Sequence, residues 1–166
     1  MLTLPRIVDR PETPYFALKR TVTLPFEAEI PSIMATLRSC LDTQNVVPTG
    51  PVFFKHNLVA MPVIEMEFGV PVERLLPAEG DFVSGILPSG RYAEITYIGP
   101  YDDLMEVNGL LIIWARGLGH SFDARPEGSG ERFANRAEIY RTNPEDDKGS
   151  ASSRTTVSIK IKDENP

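Results

Sequence analysis

The chain switches between two hydrophobic periods, and it does so twice. Over residues 15–24, Phe16, Leu18, Val22 and Leu24 take one set of alternate positions, and Ala17, Lys19, Thr21 and Thr23 take the other. A period of two predicts a half-buried strand. Ile30, Ile33, Met34, Leu37, Cys40 and Leu41 then recur at helical spacing and predict a helix over residues 27–43 with one apolar stripe. Glu27 and Glu29 suit its start, where the helix dipole is positive. After the turn signal Pro48-Thr49-Gly50-Pro51, residues 52–56 and 59–68 read as the arms of an antiparallel pair.

The second round begins with short strands over 82–87 and 91–98, joined by Pro88-Ser89-Gly90. Gly99-Pro100-Tyr101 leads into a helix over 102–118, striped by Leu104, Val107, Leu111, Trp114, Ala115 and Leu118. Residues 120–130 read as a loop, 131–142 and 154–162 as strands, and 145–153 as a charged, mobile connection. Residues 1–14, with Pro5, Pro11 and Pro14, read as an extended arm before a single domain over 15–163.

Strand, helix, strand, strand therefore occurs twice, over 15–81 and 82–163. The helix stripes superimpose at one offset of 74 residues: Ile30 on Leu104, Ile33 on Val107, Leu37 on Leu111, Cys40 on Trp114, Leu41 on Ala115. Leu24-Pro-Phe-Glu27 echoes Gly99-Pro-Tyr-Asp102. The expectation is an α+β fold from a duplicated module. Its antiparallel sheet carries two helices on one face, with a cleft between them on a pseudo-two-fold axis.

Composition narrows the function. At 166 residues, 42% hydrophobic and 24% charged, the chain can bury one core without wholesale disorder. The net charge is −6 and the 17 Lys and Arg are scattered, with no basic stripe and no helix-turn-helix segment, which argues against direct nucleic-acid binding. Cys40 is the single cysteine, and His56 and His120 lack ligand spacing, so no disulfide, metal site or cofactor is expected. No signal peptide or membrane span is read, and the expected compartment is the cytoplasm.

Leu87-Pro-Ser-Gly-Arg-Tyr-Ala93, Tyr97-Ile-Gly-Pro-Tyr-Asp-Asp-Leu104 and Leu111-Ile-Ile-Trp114 resemble the second half of GyrI-like small-molecule-binding domains. Glu131-Arg-Phe133 and Ala137-Glu-Ile-Tyr140, followed by Asn143-Pro144, resemble the closing strand, and Pro25-Phe26 matches the first half more loosely. The family includes the effector-binding domains of some bacterial transcription activators. The resemblance implies the same doubled module. Its drug-binding members hold lipophilic cations between aromatic rings over a buried glutamate, which by position is Glu138 here. Other members hydrolyse strained cyclopropane-containing toxins with a Glu and a Tyr, and one branch is named for binding DNA gyrase. Without an attached DNA-binding region, transcription control by this polypeptide alone is not expected.

Alternation places Glu138, Tyr140 and Thr142 on one strand face. A carboxylate in an apolar cleft must take up a proton or meet a cation; a solvated Glu on an ordinary strand is the other reading. Matching Pro71 to Pro144 pairs Glu65 with Glu138 and Glu67 with Tyr140, so two carboxylates could share the cleft, or each could be solvated or ion-paired. Tyr92, Tyr97, Tyr101, Tyr140, Phe54, Phe68 and Trp114 supply rings for a cation. Tyr97 and Tyr140 are the better cleft candidates because a buried hydroxyl needs a partner. Trp114 fits the core or the site. Cys40 reads as core, Gly128-Ser-Gly130 as a loop, and both histidines as surface or structural.

The candidate ligand-binding set is Glu138, Tyr140, Tyr97, Glu65, Glu67, Phe54 and Trp114. The leading function is a stand-alone sensor or sequestering module for apolar molecules, cations among them. The second is a hydrolase of strained electrophiles using Glu138 and Tyr140. The third is an inhibitory protein partner, for example of a topoisomerase.

Overall fold

The structure is a computed structural model and describes residues 1–144 and 149–163. Residues 145–148, within the expected mobile connection, lie outside the described residues. The strands are β1 (Arg6–Arg10), β2 (Thr13–Thr23), β3 (Phe53–Ala60), β4 (Val63–Pro71), β5 (Phe82–Leu87), β6 (Gly90–Ile98), β7 (Ala124–Glu127), β8 (Gly130–Phe133), β9 (Arg136–Tyr140) and β10 (Arg154–Lys160). The helices are α1 (Ile30–Thr43) and α2 (Leu104–Gly117), each entered through a 3-10 turn, Glu27–Glu29 and Tyr101–Asp103.

The main sheet runs β1-β6-β10-β9-β3-β4-β2-β5, antiparallel throughout. This order is a palindrome of the duplication. β2-α1-β3-β4 corresponds to β6-α2-β9-β10, and the two units meet at the β3–β9 pair. The leading strands are exchanged: β1 pairs with β6 of the second unit, and β5 pairs with β2 of the first. The two-residue connections Pro11-Glu12 and Pro88-Ser89 each begin with a proline, whose fixed φ of about −65° does not suit the positive φ that two-residue hairpin turns need. Gly85 lies directly under the Tyr15 ring, where an added Cβ would meet it at 2.9 Å.

Both helices lie on the same sheet face. α1 buries Ile33, Met34, Leu37 and Leu41 against Phe16, Leu18, Met66 and Phe68. α2 buries Val107, Leu111 and Ala115 against Ala93, Ile95, Val157 and Ile159. Ile33, Leu37 and Leu41 stand at the 74-residue offset from Val107, Leu111 and Ala115. Leu37 and Leu111 are each at most 1% exposed, so truncating either to Ala costs about 2–5 kcal/mol. α1 packs over β2 and β4, and α2 over β6 and β10, which leaves β3 and β9 as the floor between them.

Several boundaries differ from the sequence reading. Residues 6–10, read as part of an arm, pair along β6 as a strand. The turn between the arms of the β3–β4 pair is at Met61-Pro62, and the irregularity near Asn57 is a bulge within β3. Residues 120–130 are not all loop, because β7 pairs with β8. The expected strand over 131–142 is split into β8 and β9 at Ala134-Asn135. Leu118, placed on the stripe, is 60% exposed because α2 ends before it at Gly117.

Candidate functional site

β3 and β9 run side by side at the centre, and their register places Phe54 opposite Glu138. Alternation turns Phe54 and His56 of β3, and Arg136, Glu138 and Tyr140 of β9, toward the helices. Phe53, Lys55, Ala137 and Ile139 turn to the other face. The cleft floor therefore has an aromatic end and a charged end.

At the aromatic end the rings form a continuous series. Phe26 lies 6.0 Å from Phe68, Phe68 4.7 Å from Phe54, Phe54 4.6 Å from Tyr140 and Tyr140 5.3 Å from Tyr101, all edge to face. Phe26 and Tyr101 come from the equivalent turns that open α1 and α2. The series thus spans the two halves. Beside it a cavity of ≈ 380 Å³ opens between α1 and residues 46–52. Met34, Leu37, Leu41, Val70 and Tyr140 line it. Tyr140 is the wall between this cavity and Glu138.

At the charged end, Glu138 is nearly sealed, its side chain 13% exposed. Tyr140 Oη donates to Glu138 Oε2 over 3.3 Å, and His56 Nε2 stands 3.5 Å from Oε1. Burial pushes the Glu138 carboxyl up to about 7, against the opposing effects of the Tyr140 hydrogen bond and the nearby Arg136 charge. Burial holds His56 neutral, down to about 3, with Arg136 adding in the same direction. Burial also raises the Tyr140 hydroxyl well above its ordinary value, with Glu138 contributing. Arg136 acts on Glu138 through space. Its Nη2 donates to Asn108 Oδ1 of α2 at 3.3 Å, and its guanidinium lies 4.9 Å from the Phe133 ring centroid. Arg136 Nε and Thr155 Oγ1, opposite Tyr140, are buried and make no hydrogen bond to the described protein.

Of the expected site residues, the structure brings Glu138, Tyr140 and Phe54 together. Tyr97 is on the same face, but its hydroxyl donates to Asp103. Trp114 packs with the second core cluster. Glu65 and Glu67 face away from the cleft. The proline match that paired them with Glu138 and Tyr140 fails, because β4 corresponds to β10 and not to β9. Glu67 accepts from Tyr15 Oη at 2.6 Å, from Asn57 and from Lys55 at 3.5 Å. Glu65 pairs with Lys19 and Arg132, each at 3.0 Å. His56, read as surface or structural, is not at the surface but buried beside Glu138. It and Arg136 were missed: Arg136 alternates with Glu138 along one strand and was open to that reading, whereas His56 lies across the β3–β9 pair. The described residues hold no cluster of potential metal ligands.

The fold is that of a duplicated α+β ligand-binding domain. The chain belongs to the GyrI-like small molecule binding domain family, which it matches over residues 3–162. It is similar in structure to the EcmrR C-terminal domain, with a TM-score of 0.76 at 16% identity over 97% of this chain and 98% of that one. EcmrR in a complex with DNA superimposes with a TM-score of 0.80 at 16% identity over 97% of this chain, which spans only 58% of EcmrR. SAV2435 bound to tetraphenylphosphonium has a TM-score of 0.60 at 9% identity, covering 96% and 94% of the two chains. A hydrolase from Listeria innocua has a TM-score of 0.55 at 9% identity, covering 95% and 91%. No curated protein is recognisably similar in sequence.

Proposed function

We propose that the chain is a sensor or sequestering module for apolar, cationic small molecules, bound over β3 and β9 between α1 and α2. The observation that carries this reading is Glu138: a buried carboxyl near neutrality, beside a neutral imidazole and next to a series of aromatic rings. In the free protein the carboxyl holds its proton for much of the time. A lipophilic cation supplies the missing countercharge, so Glu138 ionises as the ligand enters. The rings add about 0.5–2 kcal/mol for each cation–π contact. For the cation to reach Glu138, Tyr140 must swing aside or accept the ligand against its face. SAV2435, of the same fold, is known bound to such a cation, which makes tetraphenylphosphonium the natural probe.

The test is a titration of wild type and Glu138→Gln with tetraphenylphosphonium at pH 7.5. The substitution keeps the shape and removes the charge, and should weaken binding by about 1–3 kcal/mol. Equal affinities would exclude Glu138 from the site.

One observation favours a second reading. Glu138, its carboxyl raised to about 7 between the Tyr140 hydroxyl and a neutral His56 imidazole 3.5 Å away, can give or take a proton near neutral pH, as a hydrolase of strained electrophiles would require. Tyr140 would then orient the carboxyl. Turnover separates the two: a binder protects a target from the electrophile one for one, whereas an enzyme clears it catalytically, and Glu138→Gln slows that clearance by about 10²–10⁴.

A further inference from the structure

The sheet face turned away from the helices holds a second concavity, of ≈ 540 Å³, over β1 and β6. Four arginines line it: Arg6, Arg10, Arg141 and Arg154. The register sets Arg6 opposite Glu94, and Thr96 opposite Thr156, on one surface. A chain of net charge −6 has thus gathered four guanidiniums around one carboxylate, Glu94.

Glu94 is already committed. It is 2% exposed and takes Arg10 in a forked pair, Nη2 at 2.5 Å and Nε at 2.9 Å, with the Ser158 hydroxyl donating at 2.8 Å. Arg141 Nε donates to Thr156 Oγ1 at 3.2 Å, and Thr156 shares a hydrogen bond with Thr96 at 2.9 Å. Among the described residues, the side chains of Arg6 and Arg154 have no hydrogen bond or ion pair. Burial lowers the Arg141 guanidinium, Arg10 and Arg154 lower it further, and Glu94 opposes them. The three cations are therefore close enough to repel. Among the described residues, one carboxylate fixes one arginine and leaves three like charges around a polar floor, an arrangement that an arriving anion relieves.

We propose that this groove is a second ligand site, for the phosphate or carboxylate group of a small molecule. It would be gripped by Arg6, Arg141 and Arg154, with Arg10 held in place by Glu94. Guanidinium forks match the paired oxygens of both groups, and the threonine hydroxyls offer further donors. The groove lies on the opposite sheet face from Glu138, and Arg141 alone lines both it and the helix-side cavity. It would give the protein one face for cations and one for oxyanions.

The experiment is calorimetric titration of the full chain at low salt with inorganic pyrophosphate and, separately, with citrate. At least one probe should bind saturably, one to one, and the probe that binds names the phosphate or carboxylate source. The double substitution Arg6→Gln with Arg154→Gln alters two exposed side chains that make no hydrogen bond or ion pair among the described residues. It should weaken binding roughly a hundredfold, tenfold for each charged contact. Glu138→Gln should bind as wild type does. Failure of both probes to saturate by about 10 mM would overturn the proposal. So would binding that survives the double substitution.

Discussion

Glu65 and Glu138 were grouped by the sequence as matching carboxylates, and they stand on opposite faces of one sheet. Glu65 keeps 19% of its side chain exposed and meets Lys19 and Arg132. Burial alone would raise it, but those two hydrogen bonds and charges outweigh the burial and hold it below its ordinary value. Glu138 is only slightly less exposed, at 13%, yet its contacts are a tyrosine hydroxyl and a neutral imidazole. Burial wins there, and the carboxyl rises to about 7. Glu138 lies deeper among protein atoms than its side-chain exposure suggests, so burial weighs more on it, and it lacks the two cations that the fold hands to Glu65. A carboxylate given its countercharge by the fold is structural, whereas one buried without a direct partner can take its countercharge from a ligand.

The largest effect belongs to the outer face. Glu67 sits with Lys55 in the fully partnered network, and both are at most 8% exposed. Glu67→Ala should cost about 3–5 kcal/mol in urea unfolding at pH 7, because it leaves Lys55 buried without its counterion. A loss below about 1 kcal/mol would erase the contrast between the faces.

Glu138 should show the opposite sign. Its folded value, about 7, lies above the ordinary 4.5, so the protonated form favours the fold. That stability is fully present below pH 4.5 and is lost as the pH rises through 7. Gln is neutral throughout. The stability of Glu138→Gln relative to wild type should therefore grow with pH over that window, by up to about 3 kcal/mol at pH 8. Unfolding curves at pH 5 and pH 8 check it, and a difference independent of pH would mean that Glu138 is solvated.

A smaller effect separates the two tyrosines that donate to carboxylates. Tyr140→Phe keeps the ring but removes the hydroxyl that favours ionised Glu138, and should weaken cation binding by about 0.5–1.5 kcal/mol. Tyr15→Phe removes the equivalent bond to Glu67 on the other face and should leave cation binding unchanged while lowering stability.

Much of the fold was legible because the duplication repeats its own signals. The stripes of α1 and α2 bury Leu37 and Leu111 at matching positions, and both helices lie on one face as the repeated element order predicts. The exchange of β1 and β5 was not legible, since a five-residue strand such as Arg-Ile-Val-Asp-Arg has no period that names its partner. At the site, alternation sufficed to put Glu138 and Tyr140 on one face. The same alternation holds Arg136, which went unread, but it could not reveal His56, because nearness across β3 and β9 depends on register between strands far apart in sequence. Glu65 misled because a proline match ignores which strand follows which helix.

Glu138 is proposed to supply the charge a cation needs. The most direct test is the affinity for the phosphonium cation measured from pH 5 to pH 8 in wild type and in Glu138→Gln. In wild type the affinity should fall by up to about tenfold per pH unit below 7 and level off above it, as the ionised fraction of Glu138 does. In Glu138→Gln it should be weak and independent of pH. A flat profile in wild type, or the same slope in both proteins, would contradict the account.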